Sequence, residues 1–213
     1  MDITRRQKGV LIGSILGDAY LEKKLEGGSS SFRFKQSEEK KEYVFWMHDQ
    51  LKNLCHSLPK RGWNRQWSFN TFCNQYIDSL RRLFYRNKVK IVPKEIAKIL
   101  TDPISLAVWF MDDGTIDYRP KDHYAFRIAS YSFSRKENEL LCNALKINFG
   151  IVATVQQSKM RNKVYYRIYI GEKGRDKFLH LIKPHIQSCL SHKLPPNNLT
   201  PQRLDLNDRS RVF

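Results

Sequence analysis

A short apolar segment that ends in an acidic residue occurs twice in this chain of 213 residues. The copies span residues 11–19 and 106–114, and they place Asp18 and Asp113 at corresponding positions. Each segment is apolar on every side, which predicts a buried helix. A carboxylate at the end of such a helix is repelled by the partial negative charge of the last carbonyl groups. The pattern therefore predicts a cationic group near each helix end, and two acids brought together to hold metal ions.

The flanking residues indicate where these helices begin and how they pack. Residues 4–7, Thr-Arg-Arg-Gln, have the form of a capping box, so the first helix should begin there and run to Asp18. Residues 101–103, Thr-Asp-Pro, place an N-cap before a proline and predict the start of the second helix. Gly13 and Gly17 lie on one side of the first helix, where the absence of side chains would let the second helix approach closely.

A similar order of strands and helices follows each segment. In the first half we predict strands around 32–35 and 66–71, and helices around 43–54 and 77–84. In the second half we predict strands over 124–133, 151–158 and 163–170, and helices after Ser134 and around 178–182. Basic turns at 60–65 and 159–162 and the lysines Lys90 and Lys193 also recur, so the internal repeat extends well beyond the two segments. Residues 197–213 show no clear period.

The charge of the chain predicts a polyanionic partner. It has 38 Lys and Arg against 21 Asp and Glu, a formal net charge of +17. On charge alone, an RNA-packing protein is an alternative to a DNA-binding one. The apolar run at 10–17 is too short to cross a bilayer and follows no cleavable leader, so we expect an intracellular protein without a membrane partner. The four cysteines lack metal spacing and are expected to be reduced thiols.

With these residues in view, the sequence resembles the LAGLIDADG homing endonucleases, and in particular their single-chain, two-motif, I-SceI-like branch. The matching positions are Gly13, Gly17 and Asp18 in the first copy, and Leu106, Ala107, Asp113 and Gly114 in the second. The departures are Ser14, Leu16 and Ala19 in the first copy, and Val108, Trp109, Met111 and Asp112 in the second. The acid at the eighth position is kept in both copies.

The resemblance implies an α+β fold. Two pseudo-symmetric αββαββα halves, residues 1–98 and residues 99–213 with a C-terminal tail, would each form a four-stranded antiparallel sheet. Packed through the two motif helices, the halves would form one saddle-shaped monomer, with helices against one face of each sheet and polar, cationic side chains on the other.

The resemblance also implies an active site. Asp18 and Asp113 would hold two or more Mg²⁺ ions, for which Mn²⁺ or Ca²⁺ could substitute in binding, with the backbone carbonyls of Gly17 and Asp112 as further ligands. Lys90 and Lys193 match the active-site lysines of the family. The side chain of Asp112 points about 100° away from that of Asp113 around the helix, so we do not expect it to be a ligand.

The exposed faces of the predicted sheets and their basic turns supply the candidate DNA contacts. A two-stranded ribbon fits the major groove, where amide, hydroxyl and guanidinium groups read base edges. The predicted DNA-binding residues are Arg33, Lys35, Lys60, Arg61, Arg65, Gln66, Ser68 and Asn70 in the first half, and Arg127, Gln156, Ser158, Lys159, Arg161, Lys163, Tyr165 and Arg167 in the second.

These expectations favour a monomeric, site-specific DNA endonuclease that cuts both strands of a long target, leaves 3′ overhangs and serves intron homing. One alternative is an RNA maturase that binds the host intron RNA and assists its splicing. Another is a catalytically silent DNA-binding regulator. An organelle, either a mitochondrion or a chloroplast, or a bacterial cytoplasm is the expected location.

Overall fold

The capping box predicted at the start of the chain is present, and it begins the first motif helix. The Thr4 side chain accepts a hydrogen bond from the Gln7 backbone N–H, and the Gln7 side chain accepts one from the Thr4 N–H. This helix, α1, spans Arg5–Leu16 and ends at the cap residue Gly17, one residue before the predicted end. The second motif helix, α5, spans Pro103–Asp113, and the Asp102 side chain caps it by accepting from the Ile104 N–H.

The computed structural model describes residues 2–23, 28–119, 123–160 and 162–196. After α1, the first half contains β1 (Tyr20–Lys23), β2 (Ser30–Ser37), α2 (Lys41–Gln50), β3 (Lys60–Arg61), β4 (Gln66–Asn70) and α3 (Gln75–Phe84). A short hairpin of β5 (Tyr85–Arg86) and β6 (Val89–Lys90) and the helix α4 (Ile96–Ile99) lead to α5. The second half continues with β7 (Gly114–Arg119), β8 (His123–Ile128), α6 (Arg135–Phe149), β9 (Thr154–Met160), β10 (Lys163–Ile170) and α7 (Glu172–Ile182).

The two halves have the same sheet topology, which confirms the predicted α+β fold with an αββαββα order in each half. One four-stranded sheet has the order β1-β2-β4-β3 and the other has the order β7-β8-β10-β9. Every pairing within these sheets is antiparallel. The predicted alternation in residues 163–170 is present, since Ile168 and Ile170 are buried while Tyr169 and Arg167 are half-buried on the opposite face.

The predicted strand over residues 124–133 is too long. Strand β8 ends at Ile128, because the chain turns at Ser130, whose N–H donates to the Ile128 carbonyl while its own carbonyl accepts from Phe133 N–H. Asn138 of α6 fixes this turn by donating to the Phe133 carbonyl and by pairing with the Ser130 hydroxyl. Phe133 is therefore buried as a turn residue and not as part of the sheet. Residues 197–213, left unassigned by pattern, lie outside the described residues.

Two glycines of α1 and the glycine at its C-cap allow this helix to approach α5 closely. A Cβ built on Gly13 would lie 2.4 Å from the Ser105 backbone oxygen, and one on Gly17 would lie 2.5 Å from Asp112 Cβ. A Cβ on Gly9 would lie 2.6 Å from a methyl group of Ile104. The predicted contact between the two motif helices is therefore present, and it extends one turn further towards the N-terminus than Gly13 and Gly17 alone indicated.

The segments that follow α3 and α7 join the two halves. Asn148 of α6 donates to the carbonyls of Ala97 and Leu100 at 2.6 and 2.7 Å, so the segment around α4 binds the second half. A 3₁₀ turn at Ser188–Lys193 packs in turn against α2 of the first half. The buried apolar residues of both halves form one continuous core. The predicted boundary between residues 98 and 99 falls inside α4, and the division into two domains stays a prediction.

Two further expectations concern the chain as a whole. All four cysteines are free thiols, as their spacing predicted. Within the described ranges, none of the helices combines the length and the hydropathy that a bilayer crossing requires.

The helix contact generates a test of stability. Gly13→Ala should lower the free energy of unfolding by about 2 kcal/mol, because its obstacle is a backbone oxygen that cannot move without displacing α5. Gly9→Ala should cost less, since the obstacle there is a side-chain carbon of Ile104 and not backbone, and alanine gains about 0.5–1 kcal/mol over glycine in a helix. Urea unfolding of both variants measures the difference. Equal stability of Gly13→Ala and wild type would show that the helices do not pack as described.

Candidate active site and nucleic-acid interface

The C-terminal ends of the two motif helices meet, and the Asp112 carboxylate joins them. Asp112 Oδ2 accepts hydrogen bonds from the Asp18 backbone N–H and the Ser14 hydroxyl, both at 3.1 Å. Its Oδ1 accepts one from the Tyr43 hydroxyl of α2 at 2.7 Å. The side chain is only 6% exposed, so it points into the helix interface and away from solvent. Asp112 therefore connects α1, α5 and α2, and its carboxylate fixes the backbone at Asp18.

At this junction each acidic group makes ionisation of its neighbours less favourable. Burial, followed by the negative charge of Asp18, raises the pKa of Asp113 to about 7. Lys90, Lys193 and Lys40 oppose that shift. Burial, followed by the charge of Asp18, also raises the pKa of Asp112 well above its usual range. Negative charge is thus concentrated in a poorly solvated place, where a bound cation would be stabilised.

Each motif helix ends against a lysine, as the electrostatics of the sequence predicted. Lys90 Nζ donates to the carbonyls of Gly17 and Ala19 at 2.8 and 2.9 Å. Lys193 Nζ donates to the carbonyls of Met111 and Phe110 at 2.6 and 3.3 Å. The ammonium groups offset the partial negative charge that the last carbonyls of a helix carry.

Both lysines have perturbed pKa values. Burial, followed by the nearby positive charge of Lys40, lowers the pKa of Lys193 to about 8. Burial also lowers the pKa of Lys90, while the charges of Asp113, Asp112 and Asp18 act against that shift. The lysines therefore lie close enough to the acids to interact with all three carboxylates. In sequence, a long stretch of chain separates each lysine from the motif helix that it caps.

Sequence patterns missed three residues of this site. Gln36 Nε2 of β2 donates to Asp18 Oδ2 at 2.5 Å. Lys40, in the 3₁₀ turn Glu38–Lys40, affects the pKa of both Asp113 and Lys193. Tyr43 lies in the helix predicted around 43–54, and that prediction says nothing of its bond to Asp112. A signal existed for Gln36, because it shares a face of β2 with the buried Phe34, where a polar residue is unexpected.

The second half has no equivalent of Gln36 at the corresponding position. Two residues after each motif acid, Tyr20 pairs with Arg33 and Thr115 pairs with Arg127. Counting three residues onward from these arginines aligns Gln36 with Ser130, which pairs with Asn138 and not with Asp113. The two motif acids therefore have different neighbours, although their helices and sheets follow the same plan.

The donor groups at the junction fit a hard divalent cation with incomplete protein coordination. Carboxylate oxygens are the ligands that Mg²⁺ prefers, and it keeps several ligands from water or substrate phosphates. In the part of the chain that the structure describes, no cluster of three or more His, Cys, Asp or Glu side chains could hold a metal ion. Asp18 and Asp113 would thus need other oxygen donors to complete a site. The Gly17 carbonyl, one candidate, already accepts a hydrogen bond from Lys90.

Most of the predicted DNA-binding residues lie on one polar face of each sheet, directly across the strands from one another. In the first sheet Arg33 pairs with Asn70, and Ser68 pairs with both Lys35 and Lys60. In the second sheet Arg167 pairs with Gln156, and Tyr165 pairs with Ser158. The remaining members of these two faces are Gln66, Arg127 and Lys163, by strand alternation. We call these two sets of residues the first and second polar faces.

Two of the predicted contacts from the basic turns do not lie on these faces. Arg61 pairs with Trp67, and Lys159 pairs with Val164, so strand alternation directs both towards the helix side of their sheets. Arg61 also forms an ion pair with Glu38. Arg65 lies in the turn before β4. Arg161 lies outside the described residues.

Some charge on the polar faces is neutralised within the protein. Arg127 forms an ion pair with Asp117 of β7, and Arg33 lies 3.6 Å from a carboxylate oxygen of Glu22. The lysines Lys35, Lys60 and Lys163 are exposed and contribute positive charge.

Several known proteins are similar to this chain in sequence or in fold. A model of the LAGLIDADG DNA endonuclease family matches residues 8–178. The DNA endonuclease I-ChuI of Chlamydomonas applanata is 30% identical, over 93% of this chain and 98% of that protein. The cytochrome b mRNA maturase bI2 of Saccharomyces cerevisiae is 26% identical, over 87% of this chain and 46% of the maturase. The homing endonuclease I-WcaI bound to its DNA recognition sequence superposes with a TM-score of 0.80 at 26% identity, covering 92% of this chain and 89% of that one.

The Asp112 hydrogen bonds generate a second test of stability. Tyr43→Phe should lower the free energy of unfolding by about 1–2 kcal/mol, because it removes the hydroxyl that donates to a buried carboxyl group and keeps the ring. Urea unfolding at constant pH measures the loss. Tyr118→Phe is the matched control, since that tyrosine is 45% exposed. A loss as small in Tyr43→Phe as in the control would mean that the hydrogen bond to Asp112 adds nothing to stability.

Proposed function

This chain belongs to the LAGLIDADG DNA endonuclease family, and we propose that it is a site-specific homing endonuclease that cuts both strands of a long duplex target. The observation that best supports this function is the junction at Asp18 and Asp113. There, two acids at the ends of closely packed helices are joined through Asp112 and flanked by two lysines that cap the helices. One chain supplies two such acids, so each can serve one DNA strand.

The two polar faces are the proposed DNA-binding surfaces. Arginine can bind guanine through two hydrogen bonds, and Asn or Gln can do the same with adenine in the major groove. Both kinds of side chain alternate with lysines across the paired strands, so base readout and phosphate contacts are available side by side. The solved structure of I-WcaI with DNA, which has the same fold, supports this arrangement.

The proposed cofactor is Mg²⁺, held by Asp18 and Asp113 together with the backbone carbonyls of Gly17 and Asp112. Bound in two or more positions, and replaceable by Mn²⁺ or Ca²⁺ in binding, it would supply an activated water and stabilise charge on the attacked phosphate and on the leaving oxygen. The raised pKa of Asp113 supports this assignment, because a cation would relieve the repulsion between two poorly solvated carboxylates.

The neighbouring side chains have proposed roles in positioning and charge. Gln36 holds one Asp18 oxygen and thereby orients the carboxylate. Lys90 and Lys193 would keep the helix ends fixed and place positive charge where the phosphate develops negative charge. Lys40 would add a third positive charge beside Asp113. The chain's own contribution is therefore a preformed electrostatic site that the phosphate enters.

Several finer points of the proposal come from the family. The enzyme would act as a monomer, leave 3′ overhangs and serve intron homing, with residues 1–98 and 99–213 each binding one half of the target. The different neighbours of the two acids suit an asymmetric target. We also propose an organelle as its location, supported by the similarity to a cytochrome b mRNA maturase.

A second candidate function is RNA maturation. The similarity to the yeast maturase spans 87% of this chain, and its basic surface could bind structured RNA. Comparing the splicing of the host precursor RNA with and without the protein tests this function. The third alternative, a catalytically silent DNA-binding regulator, is less well supported, because both motif acids are kept.

Cleavage of a plasmid library provides the direct test of the endonuclease proposal. Purified protein with Mg²⁺ should linearise only those plasmids that contain its target, and sequencing of the ends should show 3′ overhangs. A library left intact in Mg²⁺ and in Mn²⁺ would count against the proposal. The recovered target would then serve in the tests of individual residues.

The motif acids should be required for cutting and not for binding. Asp18→Asn or Asp113→Asn should reduce double-strand cleavage by at least about 100-fold, because each substitution removes metal-binding charge and keeps the shape of the side chain. DNA affinity, measured by fluorescence anisotropy without divalent metal, should change little. Asp117→Asn is the matched control, since it alters a carboxylate on β7 that pairs with Arg127. Wild-type cutting by either motif variant would remove that acid from the active site.

The two capping lysines should affect the cleavage rate more than the affinity. Lys90→Met or Lys193→Met should slow single-turnover cleavage at saturating DNA by roughly 10- to 1000-fold, as expected when a preorganised positive charge is lost. Lys35→Met, on the first polar face, should weaken binding and leave the rate at saturation unchanged. If a capping variant instead behaved like Lys35→Met, its lysine would be a phosphate contact. Circular dichroism confirms that each variant is folded.

A further inference from the structure

Trp63 has the largest exposed fraction among the exposed large apolar side chains in the described part of the chain. It is 98% exposed, whereas the next, Leu58, is 68% exposed. The other three tryptophans are buried or half-buried: Trp46, Trp67 and Trp109. A tryptophan that contacts nothing in the protein stabilises nothing in its fold, because its whole apolar surface stays in water. Its indole is therefore available to contact another molecule.

The turn that contains Trp63 is well defined. Gly62 N–H donates to the Gln66 carbonyl at 2.7 Å, and Arg65 N–H donates to the Gly62 carbonyl at 3.2 Å, so residues 62–65 close the hairpin between β3 and β4. Asn64 Nδ2 donates to Gln66 Oε1 at 2.6 Å, so the side chain next to the tryptophan is bound within the turn. Trp63 is therefore the second residue of a closed turn, and its side chain extends from the tip.

The base of the same hairpin is fixed to the body of the protein. The Glu38 carboxylate accepts a hydrogen bond from Trp67 Nε1 at 3.0 Å and also pairs with Arg61. Lys41 Nζ lies over the Trp67 ring, 4.8 Å from its centroid. The hairpin thus presents Trp63 on an anchored support, which limits the entropy lost when the indole binds a ligand.

The turn itself requires neither an arginine at position 65 nor an exposed tryptophan at position 63. Arg65 has a φ of 57°, a left-handed conformation that glycine or asparagine adopts at lower cost. The corresponding position before β10 is Asn162, with a φ of 61°, so the second hairpin uses the usual residue. The first hairpin instead has an arginine at the strained position and a tryptophan in solvent. This combination is explained by a ligand that attracts both a cation and an aromatic ring.

The charge around Trp63 identifies the class of that ligand. Arg65 is exposed beside it, and Lys60 lies at the start of the hairpin on the first polar face. A cationic turn attracts a polyanion, and an exposed indole binds a flat aromatic surface by stacking. Nucleic acid combines both properties. The continuity with the first polar face favours the same duplex that the sheets are proposed to bind.

We propose that Trp63 stacks against the bases of duplex DNA bound to the first polar face, as an aromatic wedge at the tip of the β3–β4 hairpin. This proposal rests on the proposed DNA endonuclease function and adds a contact to it. The sequence at the second hairpin tip, residues 160–162, contains no aromatic residue. The contact is therefore specific to one half of the protein.

Fluorescence of the full chain with covalently closed plasmid DNA in EDTA tests the contact without free DNA ends. The emission of Trp63, taken as the difference between wild type and Trp63→Phe, should be quenched on binding and protected from acrylamide. Trp63→Ala should bind about 10-fold more weakly, at the lower end of the range found for one base–aromatic stack on single strands, because opening a duplex step offsets part of the gain. Trp63→Phe should keep most of the affinity. The slope of log K against log salt should not change, because stacking releases no counterions.

Two control variants separate stacking from other effects. Lys60→Ala should flatten the salt slope by about 1, as expected for the loss of one phosphate contact. Ile147→Ala, on α6, removes another exposed apolar side chain and should leave DNA binding unchanged. Thermal unfolding of Trp63→Ala should match that of wild type, since the side chain makes no packing contact to lose.

Three outcomes would overturn the proposal. Unchanged affinity of Trp63→Ala together with full acrylamide access in the complex would exclude the contact. Quenching by single-stranded RNA or by anionic vesicles, and not by the closed duplex, would assign the tryptophan to another partner. Cleavage of the plasmid library by wild type, with Trp63→Ala indistinguishable in binding, would remove this contact and leave the endonuclease function intact. A wild-type protein that neither binds nor cuts duplex DNA would instead refute the proposed function.

Discussion

The close approach of α1 and α5 is the constraint on which the site depends. Gly9, Gly13 and Gly17 lack the side chains that would keep the two backbones apart, while the residues they meet on α5 include Ser105 and Asp112. The small residues are thus on one helix and larger ones on the other, so the contact is not symmetric. Because the helices are in close contact from Gly9 to Gly17, their acidic ends meet in a place with little solvent.

That convergence creates an electrostatic problem that the rest of the fold resolves. Carboxylates and helix carbonyls concentrate negative charge, and it is offset by two lysines that arrive from β6 and from the C-terminal 3₁₀ turn. The segments that hold these lysines also contact the other half, through Asn148 and through the packing of Ser188–Lys193 on α2. Beyond the packing of α1 on α5, contacts between the halves therefore lie in the same two segments as the capping lysines, and assembly of the halves and assembly of the site are linked.

The repeated plan is combined with differences that suit an asymmetric partner. Gln36 binds Asp18, whereas the aligned Ser130 is used to fix a turn. One hairpin tip presents an exposed tryptophan beside a left-handed arginine, and the other has an asparagine at the equivalent place. A homodimer cannot make such distinctions, because its two sites are identical in sequence. A single chain with two motifs can adapt each half to a different DNA sequence.

The sequence by itself determined the features that depend on neighbours along the chain. These are the helix starts at Thr4 and Asp102, the alternation in residues 163–170, the repeat and the excess of positive charge, since capping and periodicity are local. Only the tertiary structure decided that β8 ends at Ile128, that Arg61 faces Glu38, and that Gln36, Lys40 and Tyr43 belong to the site. Those outcomes arise from contacts between segments distant in sequence, including the bond from Tyr43 to Asp112, which no local pattern encodes.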